Sequence, residues 1–256
     1  MKTAGLISLV IIPLLFACLP KKPEITLPEA PAGPLLAALE QRRAAFSALK
    51  AVASVEAVRS GRRRAYDTVG IMIDGQRRLR MEAYSPLGQS LVTLVWNGAD
   101  MLLRLEDGRV LRPDPQGLER ILGVALDAGE LCAALSANLP LSAGAGEAKA
   151  YREPDGGYLI EFHEGELVRH VFLPLQEGPG QDVRIDGEEL FRSGKLQYRV
   201  RYEEMERISG YLVPKTVRFE NPEKKASLTI EYHDTDVNAP LQDDAFTLPA
   251  GEDRAP

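Results

Sequence analysis

Apolar and polar residues alternate along most of this chain with the period of half-buried strands. Leu79, Met81 and Ala83 alternate with Arg78, Arg80 and Glu82, and Met101, Leu103 and Leu105 share a face opposite Arg104 and Glu106. Tyr158, Ile160 and Phe162 alternate with Glu161 and His163. Leu196, Tyr198, Val200 and Tyr202 do so with Gln197, Arg199, Arg201 and Glu203, and Leu228, Ile230 and Tyr232 with Thr229 and Glu231. Turn-forming residues fall between such runs, at Asp74-Gly75, Asn97-Gly98, Asp107-Gly108, Asp155-Gly156-Gly157, Glu164-Gly165 and Ser193-Gly194. The pattern predicts a long antiparallel meander with one apolar face.

Three segments keep a helical period instead. From Leu35 to about Lys50, apolar Leu36, Leu39, Phe46 and Leu49 recur at three- and four-residue spacing, with Arg43 among them. Asp114 offers an N-cap and Pro115 a first helical residue before the face of Leu118, Ile121 and Leu122. A third helix is predicted from the N-cap Asp127 through Leu131, Leu135 and Leu139, stopping at Pro140. A strongly curved sheet can bury such helices in its concavity. The expected fold class is therefore α+β, an open antiparallel half-barrel with a helical lid; the same pattern permits a closed barrel or a sandwich.

The N-terminus follows another rule. Met1-Lys2 brings one positive charge, and the run from Leu6 to Ala17 is interrupted by a polar residue only at Ser8. This is the order of a secretory signal peptide, and the run is shorter than the roughly 20 residues a transmembrane helix needs. Leu15-Phe16-Ala17 stands directly before Cys18, as in a bacterial lipobox, where the cysteine is acylated. Several acyl chains, each contributing about 0.8 kcal/mol per buried methylene, would make a durable anchor. Leu19, rather than an aspartate, points to the periplasmic face of the outer membrane. Pro20, Pro23, Pro28, Pro31 and Pro34 mark an extended tether. The expected organisation is a signal peptide over 1–17, lipidated Cys18 with its tether over 18–34, one folded domain over 35–236 and a tail over 237–256.

A formal charge of -6 argues against nucleic acid as a partner. Basic residues nevertheless cluster at Arg62-Arg63-Arg64 and at Arg77-Arg78 with Arg80. Such clusters are usually solvated turns and strand faces, the alternative being a face set against anionic lipid or an acidic carrier. With Cys18 committed to lipid, Cys132 has no partner and reads as a small buried hydrophobe. The histidines are His163, His170 and His233. His163 and His170 could meet across a hairpin at Glu164-Gly165, but a metal site needs a larger ligand cluster than these two provide. No nucleophile elbow and no phosphate-cradling loop occurs. The chain is expected to have no catalytic residues, no metal and no cofactor.

Ser85-Pro86-Leu87-Gly88 suits a type I turn between two strands and puts Leu87 at its tip. There it either protrudes or folds back onto the rim of the core.

The stretch from Ser85 to Pro140 resembles the LolB family of outer-membrane lipoprotein receptors. The resemblance lies in the Pro86 to Gly88 turn, the strand Leu91 to Trp96, Asn97-Gly98 and Leu103 to Gly108. It continues with Asp114-Pro115, Leu122-Gly123 and Leu131 to Pro140. Pro214, Val217, Phe219 and Leu228-Thr229-Ile230 fit the end of the domain, and the lipobox agrees. The family is often rich in tryptophan, whereas this chain has Trp96 alone, and its tail with Phe246 and Leu248 extends past the last expected strand.

The resemblance implies an open barrel of about eleven strands closed by helices over an apolar cavity for acyl chains. It further implies that Leu87, in the turn after the third strand, helps insert cargo into the membrane. The strand positions that would line such a cavity are Leu79, Met81, Met101, Leu103, Tyr158, Ile160, Phe162, Leu196, Tyr198, Val200, Val217, Phe219, Leu228 and Ile230. Leu118, Ile121, Leu122, Leu131 and Leu135 would form the lid; each of these residues also suits an ordinary core. The function so implied is non-enzymatic: a monomeric receptor anchored through the Cys18 lipid, taking acylated lipoproteins from a LolA-like periplasmic carrier. The rivals are an anchored carrier or sensor of other lipids with the same fold, and a structural lipoprotein that pairs through a sheet edge.

Overall fold

The alternating runs all fold as strands. A computed structural model describes residues 27–75, 77–122, 126–139, 147–175 and 183–248 of the 256-residue chain. The signal peptide, Cys18 and Leu19 lie outside the described residues, as do Gly123, Pro140 and the end of the tail. After a two-residue β1 (Glu29–Ala30), a first meander comprises β2 (Ala48–Arg59), β3 (Arg62–Asp74), β4 (Arg78–Tyr84), β5 (Ser90–Trp96), β6 (Met101–Leu105) and β7 (Val110–Leu111). A second comprises β8 (Ala148–Arg152), β9 (Tyr158–Glu164), β10 (Leu167–Leu173), β11 (Gly187–Arg192), β12 (Lys195–Ile208), β13 (Tyr211–Asn221) and β14 (Ala226–Val237).

These form one 14-stranded antiparallel sheet in the order β1-β8-β9-β10-β11-β12-β13-β14-β2-β3-β4-β5-β6-β7. The last strand joins the first meander, with Ile230 opposite Val55. The edges β1 and β7 do not pair with each other, so the sheet is open, as expected of the α+β class. Fourteen strands exceed the eleven implied by the resemblance, and β1 and β7, at two residues each, account for two of the additions.

Helices occupy the segments of helical period, with shifted ends. α1 runs over Ala32–Ala44, so Leu49 and Lys50 belong to β2 rather than to a helix reaching position 50. Pro34 is accommodated in the first turn, where a backbone N–H has no intrahelical partner. The tether expected up to Pro34 is correspondingly shorter, because Glu29 and Ala30 already pair with Tyr151 and Ala150 of β8. Both remaining helices, α2 (Pro115–Leu122) and α3 (Ala128–Leu135), connect the two meanders. Asp127 caps α3: its carboxylate accepts from the Glu130 amide at 2.8 Å, and the Glu130 carboxylate accepts from the Asp127 amide at 2.9 Å. α3 ends four residues before Leu139, at a turn where Ala137 takes the left-handed φ of 47°.

The chain beyond Val237 turns back over the sheet. A short 3-10 helix, Asp243–Phe246, lies on the outer face of β4. Phe246 is buried beneath the Arg78 guanidinium, 4.6 Å from its ring centre, and Arg78 also pairs with Asp243 at 2.7 Å. Arg80 donates to the carbonyls of Ala245 and Thr247. The first part of the expected tail is therefore a strap. No described helix is long and apolar enough to cross a membrane.

Candidate functional site

The concave face divides into a packed half and a hollow half, and the two lid helices decide which is which. α3 has the sequence AGELCAAL, apolar almost all round, and the physics of such a helix is to be buried. Leu131, Cys132, Ala133, Ala134 and Leu135 are inaccessible to solvent, and burial pushes the Cys132 thiol pKa up. The carbonyls at the end of the helix, which lack intrahelical partners, are met from three sides. Tyr232 donates its hydroxyl to the Leu135 carbonyl (2.8 Å), Tyr211 to that of Ser136 (3.2 Å), and Arg42 of α1 its Nε–H to that of Ala137 (3.0 Å).

A buried ionic cluster holds the other end of α3. Arg169 of β10 donates to Glu188 (2.7 Å), to Tyr198 (3.1 Å) and to Glu130 (3.1 Å). Burial raises the Glu130 carboxyl above its usual range, against the Asp127 amide and the Arg169 charge, which lower it. Burial would lower the pKa of Arg169, but the surrounding carboxylates win and keep it protonated.

α2 leaves its half of the concavity unfilled. A cavity of about 450 Å³ lies between it and the sheet, within the range of small-molecule sites. Its walls come from β2 to β7, β14 and α2, and are apolar apart from Arg64, Arg112 and Tyr66. Glu119 of α2 pairs with Lys224 in the turn between β13 and β14, tying the helix over this space.

Among the residues expected to line a cavity, Met81, Leu103 and Leu228 line this one, together with Ile121 and Leu122 of the lid. Leu79, Ile160, Phe162, Tyr198, Val200, Val217, Phe219 and Ile230 are not on its walls; they belong to the packed core, joined there by the lid residues Leu118, Leu131 and Leu135. Met101 and Tyr158 pack against that core partly exposed, and Leu196 is half-buried. The reason is the apolar character of α3, which is buried in the concavity and, with its C-cap, bonded to Arg169 of β10, Tyr198 of β12, Tyr211 of β13 and Tyr232 of β14.

Sequence reasoning passed over Val55, Ala57, Tyr66, Val69 and Val92 as wall residues, although the apolar ones sit at strand positions that alternation could have found. Arg64 had no such signal. Between Ala53–Val69 and Val55–Tyr66 the register slips, with one extra residue on β3. This bulge reverses which face each following residue takes. Tyr66, Arg64 and Arg62 therefore face the concavity, while Arg63 faces outward and pairs with Glu56 at 2.5 Å.

The Ser85–Gly88 segment is a tight turn between β4 and β5. The Gly88 amide donates to the Ser85 carbonyl (2.9 Å), the Ser85 hydroxyl accepts from the Gln89 amide (3.1 Å), and Gly88 takes a φ of 78°. Pro86 and Leu87 are exposed, Leu87 by 87 %. The turn follows the fourth strand rather than the third, since β1 precedes the others. His163 and His170 both hydrogen-bond to Glu161, at 2.6 and 2.9 Å, on the opposite face from Ile160 and Phe162. Burial works to raise the Glu161 carboxyl pKa, yet those two hydrogen bonds hold it below its usual range. Among the described residues no group of three or more His, Cys, Asp or Glu is placed to hold a metal ion.

An open, curved antiparallel sheet carrying helices in its concavity over an apolar cavity defines the LolA-like fold class. Among solved structures the chain is similar to a domain from Vibrio parahaemolyticus named for outer membrane lipoprotein sorting, at 13% identity and a TM-score of 0.60, covering 82% of this chain and 95% of that one. It is also similar to a LolA superfamily protein from Nitrosomonas europaea (14%, TM-score 0.58, 83% and 97% covered). A DUF1329 family protein from Desulfovibrio piger follows (12%, TM-score 0.55, 84% and 97% covered). No protein-family model and no curated protein matches the sequence.

Proposed function

We propose that this chain is a membrane-anchored receptor that takes acylated lipoproteins from a soluble LolA-like carrier and releases them into the outer membrane. The observation that carries this reading is the apolar cavity of about 450 Å³ beneath α2. At about 30 Å³ for a group the size of a water molecule or methylene, it holds on the order of one acyl chain. The likeness to a domain named for outer membrane lipoprotein sorting supports the same cargo class. Anchorage is through acylated Cys18 at the periplasmic face, and the protein acts as a monomer. Its task needs no catalytic step: an acyl chain moving from one apolar site to the next remains out of water, so a small difference in affinity sets the direction. Leu87 is exposed at a turn tip, and in this reading it enters the bilayer during release.

The test offers the purified full chain a carrier loaded with acylated lipoprotein and then liposomes, with wild type and Leu87→Glu compared. Wild type is expected to accept and deliver cargo, and the variant to accept without delivering. Delivery by the variant at the wild-type rate would remove the role of Leu87 and leave a lipid carrier or sensor. Failure of both proteins to accept cargo would overturn the receptor reading.

A further inference from the structure

The two basic clusters of the sequence have different fates in the fold. Around β4, Arg78 pairs with Asp74 and Asp243, and Arg80 with Glu82 and the carbonyls of the strap, so these two charges are met within the molecule. The cluster at the start of β3 is split by the bulge. Arg63 points outward to Glu56, whereas Arg62 and Arg64 face the concavity and have no ion-pair partner among the described residues. Both are exposed. They line a second depression with Arg59, Ile121 and Leu122, and this depression is continuous with the apolar cavity, because Ala57, Arg64, Ile121 and Leu122 border both. One opening thus places guanidinium groups beside the entrance to a hydrocarbon slot.

We infer that this mouth is a headgroup site, and that beside lipoprotein acyl chains the cavity takes an anionic glycerophospholipid, its acyl chain in the slot and its phosphate on Arg62 and Arg64. The inference rests on the acyl-chain reading of the cavity and adds the charge of what enters it. Guanidinium groups recognise phosphate in paired hydrogen bonds, at geometry an ammonium cannot match. The chain's net charge of -6 makes a general attraction for anions a poor account, so the selectivity belongs to these two side chains. A lipid satisfies both halves of the site at once. A free phosphate uses only the rim, and an uncharged acylglycerol only the slot.

The experiment fills the purified full chain with an uncharged fluorescent fatty-acyl ester and displaces it with three competitors. These are a lysophosphatidylglycerol, a monoacylglycerol of the same chain length, and glycerol 3-phosphate. The phospholipid is expected to displace the probe about tenfold better than the monoacylglycerol, with the advantage shrinking as salt is raised. The double variant Arg62→Gln/Arg64→Gln should lose that advantage, so that the phospholipid and the monoacylglycerol displace the probe equally well. Arg63→Gln, which removes the charge of a neighbouring arginine on the opposite face, should keep the advantage. Equal displacement by the two lipids, or an advantage that Arg63→Gln abolishes as fully as the double variant, overturns the headgroup site alone. Glycerol 3-phosphate competing as well as the phospholipid makes it a free-phosphate site and overturns the lipid assignment. A folded protein that does not bind the uncharged probe overturns the cavity reading and this inference with it.

Discussion

At the scale of single residues, a turn tip gives an apolar side chain nothing of its own sheet to cover. Leu87 is exposed there while the turn beneath it is fixed by Ser85 and Gly88. Leu87→Glu should therefore change stability by less than about 0.5 kcal/mol in a urea titration, so that any loss of delivery reports on the membrane step and not on folding. Glu82 is the opposite case. It is buried on the outer face of β4, where burial raises its carboxyl and the hydrogen bond from Arg80, with others from Ser90 and Tyr84, more than compensates, leaving its pKa lowered. A lowered carboxyl contributes stability above its ordinary pKa and loses it as pH falls through the folded value. Glu82→Gln should be about 1–3 kcal/mol less stable at neutral pH. Denaturant midpoints of the two proteins should converge as pH drops below the usual carboxylate range, and a constant gap would refute the assignment.

At the scale of elements, strands were legible because alternation is a strict period. β4, β6, β9, β12 and β14 lie where Leu79, Met101, Tyr158, Leu196 and Leu228 begin their runs. Boundaries between unlike elements were less so. Leu49 fits a three-residue step from Phe46 as well as the alternation Leu49, Ala51, Ala53, and long-range pairing with Val237 and Ile73 decided for the strand. The cap of α3 was readable at Asp127, but its end was not, since the partners that stop it, Tyr211, Tyr232 and Arg42, are distant in sequence. The facing of Arg62 and Arg64 was hidden for a related reason: a bulge inverts a pattern without leaving a residue signature of its own. Asp127→Ala removes the cap and the orientation of Glu130 toward Arg169 together, and should cost about 1–2 kcal/mol by thermal or urea unfolding. A variant as stable as wild type would mean that burial alone holds α3.

At the scale of the whole molecule, the packed core around α3 and the apolar cavity under α2 occupy different halves of one sheet. Ala83 faces the cavity, whereas Ala134 lies in the fully packed half. Ala83→Phe should weaken an acyl probe at least about tenfold by filling the slot, with little change in the unfolding midpoint. The same enlargement at Ala134 should destabilise by about 1–3 kcal/mol, because there is no room for it. Similar losses of stability in both variants would contradict the division.

The pairing of β14 with β2 has a consequence for how such a chain is made. Made from its N-terminus, the polypeptide presents β2 well before its neighbour β14, so one flank of the first meander stays unpaired until the second meander has been made. The wall of the slot contributed by Leu228 arrives at the same late moment. A nascent chain therefore cannot close the cavity before β14 is made; exported as proposed above, it would still be in the loose state that passage through a secretion channel demands. Until then it carries an open strand flank, the kind of surface on which two half-made copies would stick together, and covering that flank would fall to whatever escorts the nascent chain.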